Sequence, residues 1–430
     1  MKNSGKLLSV SLAGLALPAL AEAQTIDSGD TAWLMTATAL VLFMTLPGLA
    51  LFYGGLVRSK NVLSVLMQCF AICCVISILW LVVGYSMAFS DTAAAGLVGN
   101  LSKAFLAGVG VDTASGSIPE SVFVMFQLTF AIITPALIVG GFAERMRFSA
   151  MLLFSVGWAI VVYFPVAHWV WAADGWLLER GFRDFAGGAV VHVNAGVGAL
   201  VAALVLRNRR GFPDEAMPPH NLTMTVAGAS MLWVGWFGFN GGSALVSGGA
   251  AGMAILVTHI SAAAGSLAWM GMEWARFGKP SVLGIVTGMV AGLGTITPAS
   301  GFVGPVGALI IGLSAGVVCF LATQFIKRKL KIDDSLDVFP VHGVGGFLGL
   351  LLTAVFSVWA GGVVPFADDQ TMGGQFLVQL TGAVATVAWC AIGTFVVLKL
   401  IGFVVPLRVD EDDERQGLDL AQHEERGYIL

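Results

Sequence analysis

Two histidines lie within otherwise apolar stretches of the sequence, each at the same distance from a preceding aspartate. His192 follows Asp184 by eight positions, and His342 follows Asp334 by eight. At a helical rise of about 1.5 Å per residue, each imidazole would lie about 12 Å along a helix from its aspartate, towards the middle of an apolar layer about 30 Å thick. Two facing neutral rings could share a proton and offer polar atoms to a small uncharged solute. The alternative is that each histidine packs independently between helices.

The composition places these histidines in a membrane protein. Hydrophobic residues make up 57% of the chain and charged residues only 11%, whereas soluble globular chains have about 25% charged residues. The 55 glycines agree with this, because small residues allow membrane helices to approach closely. We predict an all-α polytopic membrane protein that has no cofactor, no bound metal and no nucleic-acid partner.

Hydropathy divides the chain into three parts. Residues 1–23 are typical of a signal peptide, because Lys2 and Lys6 precede an apolar stretch that ends in a small-residue cleavage site at Ala23. Residues 24–406 form the predicted transmembrane domain, and residues 407–430 a charged tail that we expect to be solvated. The domain contains eleven apolar spans, at residues 32–56, 62–89, 122–142, 149–171, 186–206, 222–243, 249–275, 281–299, 303–326, 338–360 and 375–403.

The distribution of basic residues among the loops indicates how these spans are oriented in the membrane. With the mature N-terminus outside and an odd number of spans, the C-terminal tail is cytoplasmic. The predicted outer loops then contain only three basic residues, Lys103, Arg180 and Arg183, whereas the predicted inner loops contain thirteen. This bias is the positive-inside pattern, and it predicts a multi-pass protein of the cell inner membrane.

A repeat relates the two halves. The first span ends at 52–55 in Phe-Tyr-Gly-Gly and the sixth at 239–242 in Phe-Asn-Gly-Gly, while the fifth and tenth carry the two histidines. Equivalent spans are five apart, and because five is odd the halves face opposite ways across the membrane. We therefore predict eleven transmembrane helices in an inverted five-plus-five repeat plus one extra helix, with a site near the midplane.

Each remaining candidate residue also has an ordinary structural interpretation. Trp171 and Phe239 lie at predicted outer ends, where aromatic belts are common, although a cation over such a ring gains about 0.5–2 kcal/mol. Asp184 could cap the fifth helix, a role that asparagine fills about as well, and Asp334 could cap the tenth. His259 is predicted to pack between helices, and His168 could face solvent.

From Asp184 to Gly196, DFAGGAVVHVNAG, the sequence resembles the ammonium transporter family, the Amt/Mep/Rh proteins, and in particular its bacterial Amt branch. The resemblance extends over essentially the whole mature chain. Further matching stretches are PGLALFYGGLVRSKNVLS (47–64), FQLTFA (126–131), FAERMRFSA (142–150), FPVAHWVW (164–171), GWFGFNGGSA (235–244) and DSLDVFPVHGVGG (334–346).

The resemblance implies roles for seven residues and a mode of assembly. Ammonium recruitment at an outer vestibule is assigned to Phe130, Trp171 and Ser243, and a stacked phenyl gate to Phe130 and Phe239. His192 and His342 correspond to the family's twin-histidine pore dyad, and Asp184 to an acidic residue that supports the recruitment site without contacting the ligand. A homotrimer with one channel per subunit is implied, as is docking of a PII-type signalling protein on the cytoplasmic face.

These expectations converge on an ammonium transporter and not an enzyme. Ammonium would be deprotonated outside and ammonia conducted through a hydrophobic pore, where the dyad could relay the proton. An ammonium sensor with the same fold remains an alternative. A channel for carbon dioxide or water is a weaker alternative. A metal-dependent membrane enzyme is also weaker, because two histidines without a carboxylate or thiolate make a poor ligand set.

Overall fold

The computed structural model describes residues 25–366 and 370–429, so the predicted signal peptide lies outside the described residues. Within them, ten helices are long and apolar enough to cross a membrane, and one further apolar helix is shorter. In chain order these helices are α1 (Ser28–Leu56), α2 (Ser59–Phe89), α3 (Glu120–Phe142), α4 (Phe148–Trp171), α5 (Gly188–Leu206), α6 (Leu222–Gly242), α7 (Gly249–Phe277), α8 (Val282–Ile296), α9 (Pro305–Lys329), α10 (Phe339–Phe356) and α11 (Met372–Gly402).

All eleven predicted spans are confirmed as helices, and side-chain caps explain where several begin. The side chains of Asn221, Ser281 and Thr371 each accept from the backbone N–H three residues later, at the starts of α6, α8 and α11. Such caps satisfy amides that have no partner within the helix. α7 ends at Phe277 and is followed by Gly278, whose φ of 75° is readily reached only without a side chain.

The predicted loop between α2 and α3 contains a short 3₁₀ helix, Ala104–Leu106, and a small antiparallel hairpin of β1 (Ala114–Ser115) and β2 (Ile118–Pro119). Glu120, the first residue of α3, is buried, accepts from the Tyr85 hydroxyl at 2.7 Å and pairs with Lys103. These contacts hold the loop against the ends of α2 and α3. We call this end of the bundle the outer face.

At the opposite end, which we call the inner face, a buried ion-pair network joins three connecting loops. Arg209 donates to both carboxylate oxygens of Asp333, at 2.8 and 2.9 Å, and to Glu144 at 2.9 Å. Burial by itself would raise the pKa of both carboxyl groups, but Arg209 lowers the pKa of each below its ordinary value, together with Arg58 at Glu144 and Arg145 at Asp333. Burial lowers the pKa of the adjacent Arg145 to about 10.

The C-terminal tail forms two short helices at this inner face, α12 (Glu411–Gln416) and α13 (Leu418–His423). Most of the charge run in α12 is exposed, as expected of a solvated tail, whereas the expectation is wrong for α13, which is buried or half-buried throughout. Glu414 is buried and accepts from the Arg408 guanidinium at 2.7 Å. Asp419 is buried and accepts from the Ser64 backbone N–H at 2.8 Å. The charge run that indicated solvation therefore includes side chains whose partners lie on the transmembrane domain.

Candidate functional site

His192 and His342 lie side by side at the centre of the bundle. Their Nδ1 atoms are 3.2 Å apart, and their rings are nearly parallel, with centroids separated by 5.2 Å. Both residues are buried. Because the two facing atoms are both ring nitrogens, a hydrogen bond between them requires one Nδ1 to carry a hydrogen and the other to accept it. The two predicted histidines thus form one hydrogen-bonded pair.

Both histidines lie in a wider, π-helical first turn of their helices, Gly188–Val193 and Phe339–Gly343. Such turns occur often at functional sites, because they redirect a side chain that a regular helix would aim elsewhere. The sequence patterns indicated helices at both places but did not distinguish this geometry.

Asp184 secures the start of α5. Its two carboxylate oxygens accept from four consecutive backbone N–H groups, those of residues 187–190, at 2.5 to 3.3 Å. Burial raises the pKa of this carboxyl group, and the four amide donors oppose that shift. The capping role is the one predicted from the sequence, but it uses both oxygens.

Asp334 occupies the corresponding position before α10 with a sparser set of partners. One oxygen accepts from the Phe339 backbone N–H at 2.7 Å, and the other is buried without a hydrogen-bond partner among the described residues. Burial and the nearby Asp337 carboxylate raise the pKa of Asp334 to about 7.

Two glycines allow the histidine-bearing segments to cross in direct backbone contact. Gly196 lies four residues after His192 and packs against the backbone of Gly343; Gly346 lies four residues after His342 and packs against His192. A Cβ atom at position 346 would lie 2.8 Å from the His192 Cβ, which is closer than Cβ atoms of folded proteins approach their non-bonded neighbours. The sequence analysis missed this repeated pattern of a histidine followed four positions later by glycine, although both copies are visible in the sequence.

The histidine pair adjoins a small, largely apolar central cavity. Its walls include Leu137, Val191, Trp236 and Phe239 as well as both histidines. The His192 ring stacks on Trp236 at a centroid distance of 5.4 Å, and its Nε2 atom is buried without a hydrogen-bond partner among the described residues. An unpartnered ring nitrogen is therefore available to a solute in this cavity.

Phe130 and Phe239 separate the central cavity from the outer face. Their rings are 4.3 Å apart between centroids, inclined by 37°, and both are buried. Phe130 also lines a cavity on the outer side, whereas Phe239 lines the central one. The two rings predicted to form a gate therefore lie in contact between the two cavities, one lining each.

The outer cavity brings together the three residues that the family resemblance assigned to recruitment, Phe130, Trp171 and Ser243. The Phe130 and Trp171 rings meet edge to face at 5.7 Å, and the indole N–H donates to the Asp184 backbone carbonyl at 3.0 Å. The Ser243 hydroxyl donates to the Phe239 carbonyl at 2.9 Å, so its lone pairs stay available to accept.

Gln127 lines the same outer cavity, and the sequence analysis missed it. Its side-chain carbonyl oxygen is buried and has no hydrogen-bond partner among the described residues. Because it precedes Phe130 by three residues on α3, the two side chains share one face of the helix. That spacing could have identified it.

On the inner side, a third cavity extends from His342 to the inner face, and its lining includes Phe52, Lys327 and Asp337. Phe52 and His342 line both this cavity and the central one. The described residues therefore form a succession of outer cavity, phenyl pair, histidine pair and inner cavity.

The other two histidines of interest lie elsewhere. His259 is exposed on the side of the bundle and stacks on Trp233 at 5.2 Å. His168 is buried, with Nδ1 3.1 Å from the Ala88 carbonyl and Nε2 3.6 Å from Asp174, so the expectation that it faces solvent is wrong. Neither lines the cavities described above.

Comparison with known sequences gives matches over almost the whole chain. The sequence profile of the Ammonium Transporter Family matches residues 32–428. A protein of Bacillus subtilis (strain 168) named "Ammonium transporter" is 47% identical over 407 residues, covering 93% of this chain and 98% of that protein. A protein of Aquifex aeolicus (strain VF5) with the same name is 44% identical over 427 residues, covering 96% of each.

Solved structures agree with the fold. The structure titled "Sensor Amt Protein" superposes with a TM-score of 0.86 at 30% identity, covering 92% of this chain and 98% of that one. Candida albicans Mep2 superposes with a TM-score of 0.84 at 34% identity, covering 94% of each chain.

Proposed function

The chain belongs to the ammonium transporter family and is not an enzyme, and we propose that it recruits ammonium in the outer cavity, removes a proton, and conducts ammonia past the twin-histidine pair. The observation that carries this mechanism is the order of the spaces along the bundle: a polar and aromatic outer cavity, a phenyl pair in contact, and a small, largely apolar centre with two hydrogen-bonded imidazoles.

Recruitment rests on complementarity between the outer cavity and a small cation that donates hydrogen bonds. The Phe130 and Trp171 rings offer aromatic faces, and each cation–π contact is worth about 0.5–2 kcal/mol. Ser243 supplies an acceptor, since its own hydrogen is engaged by Phe239. Potassium can use the rings but donates no hydrogen bonds to the hydroxyl.

Selectivity follows from the narrow, apolar path beyond the phenyl pair. Moving an ion from water into such surroundings without compensating partners costs several kcal/mol or more. Ammonium avoids this cost by releasing a proton and crossing as neutral ammonia. Sodium and potassium have no proton to release and are excluded.

The histidine pair gives the released proton a route through the dry centre. A proton taken up at one Nε2 can be matched by transfer across the Nδ1–Nδ1 bond and by release from the other Nε2, with both rings neutral afterwards. The geometry that supports this route is the 3.2 Å separation of the Nδ1 atoms.

The direct test of the mechanism is to measure current from purified protein in liposomes under separate ammonium and potassium pulses. Ammonium-dependent current without potassium current is expected, and the proton-coupled mechanism is rejected if ammonia crosses with no charge movement.

Substitutions in the recruitment residues should weaken ammonium binding. Trp171→Leu removes an aromatic face, and Ser243→Leu removes the acceptor and fills space, so each should raise the half-saturating ammonium concentration about five- to thirtyfold. The measurement is the concentration dependence of the liposome current. Trp359→Leu is the matched control, because Trp359 is an exposed tryptophan beyond the outer end of α10 that does not line the cavity. Unchanged half-saturation in both recruitment variants would contradict the assignment.

Gln127 is expected to act as a second acceptor in the outer cavity. Gln127→Leu keeps approximately the size of the side chain but removes the unpartnered oxygen, so half-saturation should rise about threefold to tenfold. Combining it with Ser243→Leu should further raise half-saturation if both groups contact the same ion. A shift no larger than that of Trp359→Leu would make Gln127 a packing residue only.

A sensor function is the second candidate, favoured by the superposition on the structure titled "Sensor Amt Protein". The two functions differ in what the purified chain does without a partner. A transporter produces ammonium flux in liposomes, whereas a sensor binds ammonium with no flux.

We also propose that the chain forms homotrimers in the cell inner membrane, with its N-terminus outside and its tail cytoplasmic, where a PII-type protein docks. The thirteen-to-three distribution of basic residues between predicted inner and outer loops supports the orientation. The trimer and the PII partner rest on the family resemblance. Mass measurement of the detergent-solubilised protein tests the trimer.

A further inference from the structure

A basic cavity lies at the inner ends of α7 and α9, away from the pore. Its volume is about 440 Å³, and its lining consists of Arg276, Leu321, Gln324, Phe325, Arg328 and Lys329. The inner pore cavity lies beside α10 and shares none of these residues.

The three cations of this cavity have no carboxylate within ion-pair distance in the part of the chain that the structure describes. Other basic residues at the inner face do form ion pairs with carboxylates: Arg209 pairs with Asp333, and Lys327 with Asp337. Glu273, one helical turn before Arg276, instead accepts from the Ser281 backbone N–H at 2.7 Å. The cavity therefore concentrates positive charge that forms no ion pair among residues 25–366 and 370–429.

The immediate neighbours of these cations are aromatic. The Arg328 guanidinium lies 5.3 Å from the centre of the Phe277 ring, and the Lys329 ammonium lies 5.6 Å from that of Phe325. Both phenyl rings are exposed, as is Leu321 one turn earlier on α9. The site is thus amphiphilic, with apolar side chains along the helices and charged groups at their ends.

We propose that this cavity binds the headgroup phosphate of an anionic phospholipid in the leaflet at the inner face. Two guanidinium groups and an ammonium match a phosphate, which arginine can bind through two parallel N–H bonds. Basic pockets between transmembrane helices on the cytoplasmic side bind anionic headgroups in this way. The exposed Leu321, Phe325 and Phe277 side chains pack against the acyl chains, which a soluble phosphate lacks.

The test is lipid binding to the purified full-length protein in detergent, measured by native mass spectrometry. Short-chain phosphatidylglycerol is titrated against wild type and the triple variant Arg276→Gln, Arg328→Gln, Lys329→Gln. Each basic group near an anionic headgroup strengthens binding about fivefold, so removing three should weaken the binding of phosphatidylglycerol on the order of a hundredfold. Short-chain phosphatidylcholine, which is neutral overall, should bind weakly to both proteins.

A matched control is Lys399→Gln on α11, where the ammonium also lies over a phenyl ring, at 5.3 Å from the centre of Phe395, but outside this cavity. It should bind phosphatidylglycerol like wild type.

A second experiment uses glycerol 3-phosphate, a soluble phosphate, as competitor. Failure of this anion to displace the lipid supports the lipid site, whereas equal binding of the soluble anion overturns it. Equal phosphatidylglycerol affinity of wild type and triple variant also overturns it. Because the substituted side chains are exposed, folding is checked by the elution volume, and Arg328→Lys, which keeps the charge, should retain most of the affinity.

Discussion

Replacing either histidine of the central pair by alanine is expected to abolish the ammonium-driven current. The Nδ1–Nδ1 contact of 3.2 Å between His192 and His342 is the direct contact through which one ring can pass a proton to the other. Alanine has no titratable nitrogen, so neither His192→Ala nor His342→Ala retains a route for the proton. Ammonia itself could still diffuse through the space that the missing ring leaves.

Acidic replacements should have a different outcome. A carboxylate at position 192 or 342 can accept a proton but also places a negative charge in the dry centre. We therefore expect His192→Asp and His342→Asp to retain some ammonium current and to begin to admit potassium, because the fixed charge offsets part of the cost of an unhydrated cation.

The measurement is current across liposome membranes under separate ammonium and potassium gradients. His259→Ala is the matched control, since His259 also stacks on a tryptophan but lies on the exposed side of the bundle. It should retain wild-type current. Wild-type current and selectivity in both alanine variants of the pair would reduce these histidines to packing residues and refute the proposed mechanism.

Removal of the Asp184 carboxylate is expected to cost the most stability among single substitutions at the site. Asp184→Ala leaves four buried backbone N–H groups without their acceptor. Loss of a helix cap costs about 0.5–2 kcal/mol, and the additional uncompensated amides raise the expected loss to about 2–4 kcal/mol. Recruitment should suffer as well, because the indole N–H of Trp171 donates to the backbone carbonyl of this same residue.

Asparagine at position 184 should be a poorer substitute than the sequence suggested. Both carboxylate oxygens accept hydrogen bonds, so an amide NH₂ in place of one oxygen would face backbone donors. Asp334→Asn is the natural comparison, because only one Asp334 oxygen is engaged and the NH₂ group can take the unpartnered position. Thermal unfolding in detergent should therefore rank Asp184→Ala as least stable, then Asp184→Asn, then Asp334→Asn. Equal stability of the two asparagine variants would show that the second oxygen of Asp184 contributes little.

The sequence by itself determined the membrane class, the eleven helices and the identity of the central histidines. Hydrophobic stretches of membrane length carry that information locally, since transfer of such a long apolar segment from water into the hydrocarbon layer is strongly favourable. The equal offsets of His192 and His342 from their aspartates likewise needed no structure, because spacing along a helix is set by its rise per residue.

The tertiary structure decided what these residues contact. Whether two histidines 150 positions apart meet at 3.2 Å depends on the crossing of α5 and α10, which Gly196 and Gly346 permit. Whether the Gln127 oxygen and the cations at the inner ends of α7 and α9 have partners also depends on what the fold brings near, and within the described ranges they have none. The tail shows this dependence on tertiary contacts as well. Its charge run predicts a solvated segment, but the fold places Arg408 beside Glu414, and that carboxylate is buried in an ion pair. Pattern along the chain specifies which segments are buried in the membrane, whereas contacts between distant segments decide whether each polar group is satisfied there or left free to bind a ligand.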